Sequence, residues 1–179
     1  GTTPARFEIV PAAIRLGRQL EELDIEWFEE PISPEDIDGY VEVSRALDMA
    51  VAGGENEFTR WGFRDAIVRK AMDIVQPDAT KCGGISEARR IAWMAYDHNI
   101  AFVSHGWNTA VGVAADLHLA AALPVARYVE YLTPAPYIDE IITQPFRLDA
   151  SGLLTIPESP GLGIELNREA LKRYAGRGG

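Results

Sequence analysis

Short apolar runs alternate with longer amphipathic ones along this chain, the pattern of strands separated by crossover helices. Residues 25–28 read as a strand, and 34–47 as a helix with Ser33 as its N-cap and Pro34 at its first position. A second strand over 51–54 precedes a helix over 61–71, and a third strand over 73–76 is stopped by Pro77. Gly83-Gly84 allows a tight turn before residues 86–99, where Ala88, Ile91, Ala92 and Ala95 fall at helical spacing. A fourth strand covers 101–103, an Ala-rich helix 110–123, and a fifth strand 128–131. That helix is apolar on most faces, so burial between layers or between subunits is expected. Beyond it, 146–148 and 153–156 flank the turn-rich Asp149-Ala150-Ser151-Gly152 as a small hairpin, and 167–174 form a last helix. Upstream, 11–23 read as an amphipathic helix after an irregular start over 1–10. No domain-sized linker interrupts the chain. The expected organisation is one domain over 1–179, with βα units over 11–132 and a C-terminal hairpin and helix over 133–179.

The strand ends carry the chemistry. Glu29, Glu55, Asp78, His105 and Glu130 each follow a strand-like run, roughly 25 residues apart, about one strand plus one helix. Parallel barrels place their active sites at such C-terminal strand ends. Carboxylates gathered in one cup do not all stay ionised without a cation, and oxygen ligands that leave room for water and substrate suit Mg²⁺. Glu29 and Glu55 are the candidate metal ligands. His105 follows the strand next to the one that ends before Asp78, so the two side chains become neighbours across one barrel step. An aspartate that accepts from one imidazole nitrogen fixes the tautomer and leaves the other nitrogen for proton transfer. His98 and His118 lie within helices and read as structural, and Arg60 and Arg64 read as a solvated helix face.

Length and charge narrow the picture. At 179 residues the chain can bury a core without disulfides, yet a closed eight-stranded α/β barrel takes about 250. A net charge of −10 and a pI near 4.8 argue against a nucleic-acid surface. The single cysteine, Cys82, suits a reducing compartment, and there is neither an apolar run of membrane-spanning length nor a signal-peptide pattern. A cytoplasmic protein is therefore expected, with no nucleic-acid or membrane partner.

Several motifs carry a resemblance. These are Trp27-Phe28-Glu29-Glu30-Pro31, Gly54-Glu55-Asn56-Glu57, Gln76-Pro77-Asp78-Ala79-Thr80-Lys81-Cys82-Gly83-Gly84, Ser104-His105-Gly106-Trp107-Asn108-Thr109, Val129-Glu130-Tyr131 and Pro160-Gly161-Leu162-Gly163. From about Pro11 to Tyr174 the chain resembles the C-terminal half of an enolase-superfamily barrel of the mandelate racemase subgroup. The implied fold class is α/β, the C-terminal portion (about strands 4 to 8) of a TIM-type (β/α) barrel, without the first strands and the N-terminal capping domain.

The resemblance implies a reaction that begins by abstracting the proton α to a carboxylate, with Mg²⁺ stabilising the enediolate. By position, Glu29 and Glu55 would be the second and third metal ligands, His105 the general base or acid, and Asp78 its orienting partner. Asp at position 78, where the muconate-lactonising branch carries a lysine, favours the mandelate racemase subgroup. Glu130 is similar to a residue that hydrogen-bonds the substrate carboxylate. The first metal-binding aspartate is expected near Thr2, where there is no carboxylate, and the second-strand lysine motif lies outside the chain. On this reading the polypeptide alone is expected to be inactive and its parent protein to be a Mg²⁺-dependent hydro-lyase. That enzyme would dehydrate a sugar acid, an aldonate or aldarate, to a 2-keto-3-deoxy acid. A racemase or epimerase of a 2-hydroxy acid, and a catalytically incompetent half-barrel, are the alternatives. The expected partners are a small-molecule carboxylate substrate and further copies of the chain in a homo-oligomer.

Overall fold

The computed structural model describes residues 6–175. Helix α1 (Arg6–Glu21) leads into β1 (Trp27–Glu29), α2 (Ile37–Ala46), β2 (Ala50–Gly53), α3 (Thr59–Val68) and β3 (Ile74–Val75). Then follow α4 (Ile85–Asp97), β4 (Ala101–Ser104), α5 (Ala110–Ala121), β5 (Ala126–Val129) and the short helices α6 (Pro136–Asp139) and α7 (Arg168–Tyr174). The strands form one sheet in the order β1-β2-β3-β4-β5, and every neighbouring pair is parallel. Each crossover carries a helix, so the chain has the α/β architecture of the C-terminal part of a TIM-type barrel.

Side chains alternate across each strand, and that period sorts the core. Phe28, Val51, Val75 and Phe102 point outward into two clusters beneath the helices: one with α1 and α2, which includes Tyr40, Val43 and Met72, the other with α3 and α4, which includes Phe63, Ile67 and Ile91. Trp27, Ala50, Ala52, Ile74, Ala101 and Val103 form a small cluster on the opposite, concave face. The Trp27 and Tyr128 rings meet with centroids 5.9 Å apart, although β1 and β5 are the two edges of the sheet. That contact requires strong curvature.

Several boundaries differ from the sequence reading. Residues 6–10 are helical rather than irregular: α1 runs through Pro11, which forgoes one helical hydrogen bond without ending the helix. Residues 1–5 of the expected irregular start lie outside the described residues. Asp36, not Ser33, caps α2, its carboxylate accepting the Gly39 N–H at 2.9 Å; the Ser33 hydroxyl donates instead to Glu35. Strand β5 begins two residues earlier than expected. The C-terminal hairpin is reduced to one antiparallel bridge, Leu148 to Leu154, with the Asp149 N–H on the Leu153 carbonyl. Arg60 is no solvated side chain: its guanidinium grips both oxygens of Glu87 at 2.8 and 2.7 Å while its backbone N–H takes Oε1, tying the start of α3 to α4.

Candidate active site

Glu29 is the last residue of β1 and follows Trp27 on the concave face; Glu55 lies two residues beyond β2, Asp78 three beyond β3, and His105 and Glu130 directly after β4 and β5. Parallel strands in register thus deliver all five expected residues to one end of the sheet.

The structure brings three of them into contact. His105 is 5% exposed, with Nδ1 2.9 Å from Asp78 Oδ2 and Nε2 3.1 Å from Glu55 Oε2. Asp78 is fully buried, and its other oxygen accepts the Thr80 N–H at 2.7 Å and the Thr80 hydroxyl at 2.6 Å. Burial pushes its pKa up, but the bonds from Thr80 and His105 outweigh that and hold it below the usual carboxylate range. An ionised Asp78 keeps a proton on Nδ1, so Nε2, which faces Glu55 Oε2, is the nitrogen that exchanges one. Next along the sheet, Glu130 Oε2 accepts the backbone N–H of Gly106 at 2.6 Å. A Cβ at Gly106 would overlap the Glu130 carbonyl oxygen, so only glycine allows this approach.

Glu29 stands apart from His105: its Oε2 accepts from Gln76 Nε2 at 2.8 Å and from Trp27 Nε1 at 3.1 Å. Next to it in the chain is Glu30, which the sequence reading did not single out. Its carboxyl is raised by burial and then by the charges of Glu55 and Glu29, against hydrogen bonds from the Gly54 N–H and Asn56. Glu30 Oε1 is buried with no hydrogen-bond partner among the described residues. An all-oxygen set with surplus negative charge fits a hard divalent cation in chemistry. The fit is partial, since no group of three or more His, Cys, Asp or Glu side chains that could hold a metal ion occurs among the described residues. Lys81 Nζ lies 3.9 Å from Asp78 Oδ2 and 3.4 Å from the Glu55 carbonyl, on the exposed side of the site. Trp107 is exposed, whereas Asn108 is half-buried with both polar atoms of its side chain shut off from solvent.

The family model described as "Enolase C-terminal domain-like" matches residues 8–170. The chain belongs to the enolase C-terminal domain-like family. It is 39% identical over 174 residues to the D-galactarolactone cycloisomerase of Agrobacterium fabrum, covering 92% of this chain and 46% of that protein. It is 32% identical over 163 residues to the D-xylonate dehydratase of Haloferax volcanii, covering 91% and 40%. A crystal structure of a mandelate racemase/muconate lactonizing enzyme-like protein from Roseovarius sp. TM1035 superposes with a TM-score of 0.86 at 36% identity, over 92% of this chain and 41% of that one. This enolase-family chain therefore spans less than half the length of these relatives, which include acid-sugar dehydratases and cycloisomerases. No helix among its described residues is long and apolar enough to cross a membrane.

Proposed function

We propose that the protein carrying this chain eliminates a β-oxygen from a sugar acid after loss of the proton α to the carboxylate. The observation that carries the reading is the buried His105 ring held between Asp78 and Glu55. Glu29 and Glu55 would hold Mg²⁺, which when bound supplies fixed positive charge to the substrate carboxylate as negative charge grows on it. Neutral His105, its Nε2 released from Glu55, accepts the α-proton there, and the C–H electron pair becomes the new C=C bond as the β C–O bond breaks. The imidazolium returns a proton to the departing oxygen, which leaves as water when it is a hydroxyl. The enol then tautomerises to a 2-keto-3-deoxy acid. Asp78 keeps the ring oriented and stabilises the imidazolium. Glu130, docked on the Gly106 N–H, is placed to bond the substrate carboxylate.

The likeness to a cycloisomerase favours a second reading on the same residues. There the departing oxygen is a ring oxygen, so the ring opens with no loss of water.

The test is incubation of the purified protein with Mg²⁺ and a panel of aldonates, aldarates and their lactones, read by mass spectrometry. Loss of one water with appearance of a 2-keto acid supports dehydration; an isomer of unchanged mass supports the second reading. The His105→Asn variant should abolish either. No turnover with any substrate, or turnover that survives His105→Asn, would sink the proposal.

A further inference from the structure

Behind His105 lies a polar pair that the proposed reaction does not use. Helix α5 is buried over Ala110, Gly112 to Leu117 and Leu119, and in the midst of these apolar residues Asp116 is fully buried. Asn108, just before the helix, has its amide nitrogen and carbonyl oxygen shut off from solvent as well. Gly112 precedes Asp116 by one turn on the same helix face. A Cβ at Gly112 would overlap the Asn108 carboxamide, so that carboxamide lies in the space the glycine leaves open, one turn from the carboxyl. Among the described residues neither the Asn108 amide nor either Asp116 oxygen completes a well-formed hydrogen bond, although buried polar groups are almost always paired. The Asn108 amide is the hydrogen-bonding group that acts on the carboxyl, favouring its ionised form.

We propose that Asn108 and Asp116 form a buried carboxamide–carboxyl clasp that pins the 104–109 segment to α5 and so fixes His105 and Gly106 against Glu130. Both are positioning residues, because neither touches the reacting atoms. The chemistry of the pair suits the task. Burial pushes the Asp116 carboxyl up to about 7; the Asn108 amide opposes this, and the charges of Asp78 and Glu130 add to it. The Cys82 thiol, pushed up to about 11 by burial first and then by the charge of Asp78, also feels the charge of this carboxyl. A protonated Asp116 both donates to the Asn108 carbonyl and accepts from its amide, whereas the ionised form only accepts. Asparagine at 116 would keep a donor and an acceptor, and alanine would remove both.

Only the kinetic readout of this clasp rests on the acid-sugar reading; the structural one does not. Hydrogen exchange of the Gly106 amide, followed by NMR below the pH at which Asp116 ionises, reports the Gly106 to Glu130 contact directly. Asp116→Ala should exchange about tenfold faster there, the equilibrium effect of roughly one buried hydrogen bond, while Asp116→Asn stays close to the parent. The Asp116→Ala and Asn108→Ala effects should be non-additive in the double variant. On a substrate that turns over, Asp116→Ala should lower kcat by about tenfold or more with KM little changed, and Asp116→Asn should restore it. Unchanged Gly106 exchange in Asp116→Ala, or additive effects, would overturn the clasp. If Asp116→Ala does not fold, Asn108→Ala decides alone: faster Gly106 exchange supports the clasp and unchanged exchange overturns it. Absence of turnover in the parent protein would count against the proposed reaction and leave the exchange result standing.

Discussion

Asp78 Oδ2 lies 2.9 Å from His105 Nδ1 with both side chains shut off from solvent, so the carboxylate decides which imidazole nitrogen carries the proton at rest. Two bonds from Thr80, one from its backbone N–H and one from its hydroxyl, fix the carboxylate in turn, and so set the geometry of the dyad. Replacing Asp78 by Asn keeps the shape but can present an N–H to Nδ1, which moves the ring proton to Nε2, where a base must be free.

Asp78→Asn should accordingly lower kcat on the order of 10³-fold, within the range that general acid–base groups contribute, with little change in KM. Steady-state kinetics on whichever acid sugar the protein turns over would check this. A variant that kept parental kcat would show that the dyad does not orient the proton.

Two buried acids should give stability opposite dependences on pH. Asp78 is held below its ordinary 3.8, so its contribution is present above about pH 4 and is lost as pH falls through its folded-state value. Asp116 is raised to about 7, so the folded state binds the extra proton; that contribution is complete below 3.8 and lost as pH rises through about 7. The loss should be on the order of a few kcal/mol. Thermal melts of Asp116→Asn against the parent should diverge as pH climbs from about 4 to about 7, the parent losing stability. Parallel melting curves over that interval would exclude a raised Asp116.

The strand ends were legible because each short apolar run is followed within a few residues by an acid or a histidine, as with Phe102, Val103 and then His105. Interior packing was legible for the same reason: period-two alternation in β2 and β4 separates the outward residues Val51 and Phe102 from the inward residues Ala52 and Val103. Capping was not, since Ser33 and Asp36 are both good N-cap residues and only the path of the chain selects Asp36. Arg60 looked solvated because its partner Glu87 lies 27 positions away, beyond any local spacing rule. The Asn108–Asp116 pair escaped notice although it left a sign, an aspartate inside Val113-Ala114-Ala115-Asp116-Leu117, where a charged residue has no evident solvent to face.

Metal dependence follows from the carboxylates. The surplus charge that raises Glu30 beside Glu29 and Glu55 should fall when Mg²⁺ binds. Chelation should abolish turnover and added Mg²⁺ restore it, and Glu29→Gln or Glu55→Gln should each weaken Mg²⁺ binding about 10-fold or more, measured by calorimetry. Binding of parental strength in both variants would remove these residues from the metal site.

Gly106 offers a test of geometry with no change of charge. Its N–H is bonded to the Glu130 side chain, and a methyl group at this position would press on the Glu130 carbonyl, a backbone atom that cannot swing aside. Relief requires the His105 segment and the end of β5 to separate, breaking the bond that docks Glu130. Gly106→Ala should therefore cost about 1–3 kcal/mol of stability, the range for overpacking a tight contact, and should lower kcat/KM further than the lost stability alone explains, because His105 and Glu130 move apart. Glu130→Gln keeps the Gly106 contact, with the amide oxygen accepting the same N–H, and should leave the melting temperature near that of the parent. A Gly106→Ala protein with parental melting temperature and parental kinetics would mean that the 104–109 segment tolerates displacement, and that His105 is not held by its approach to β5.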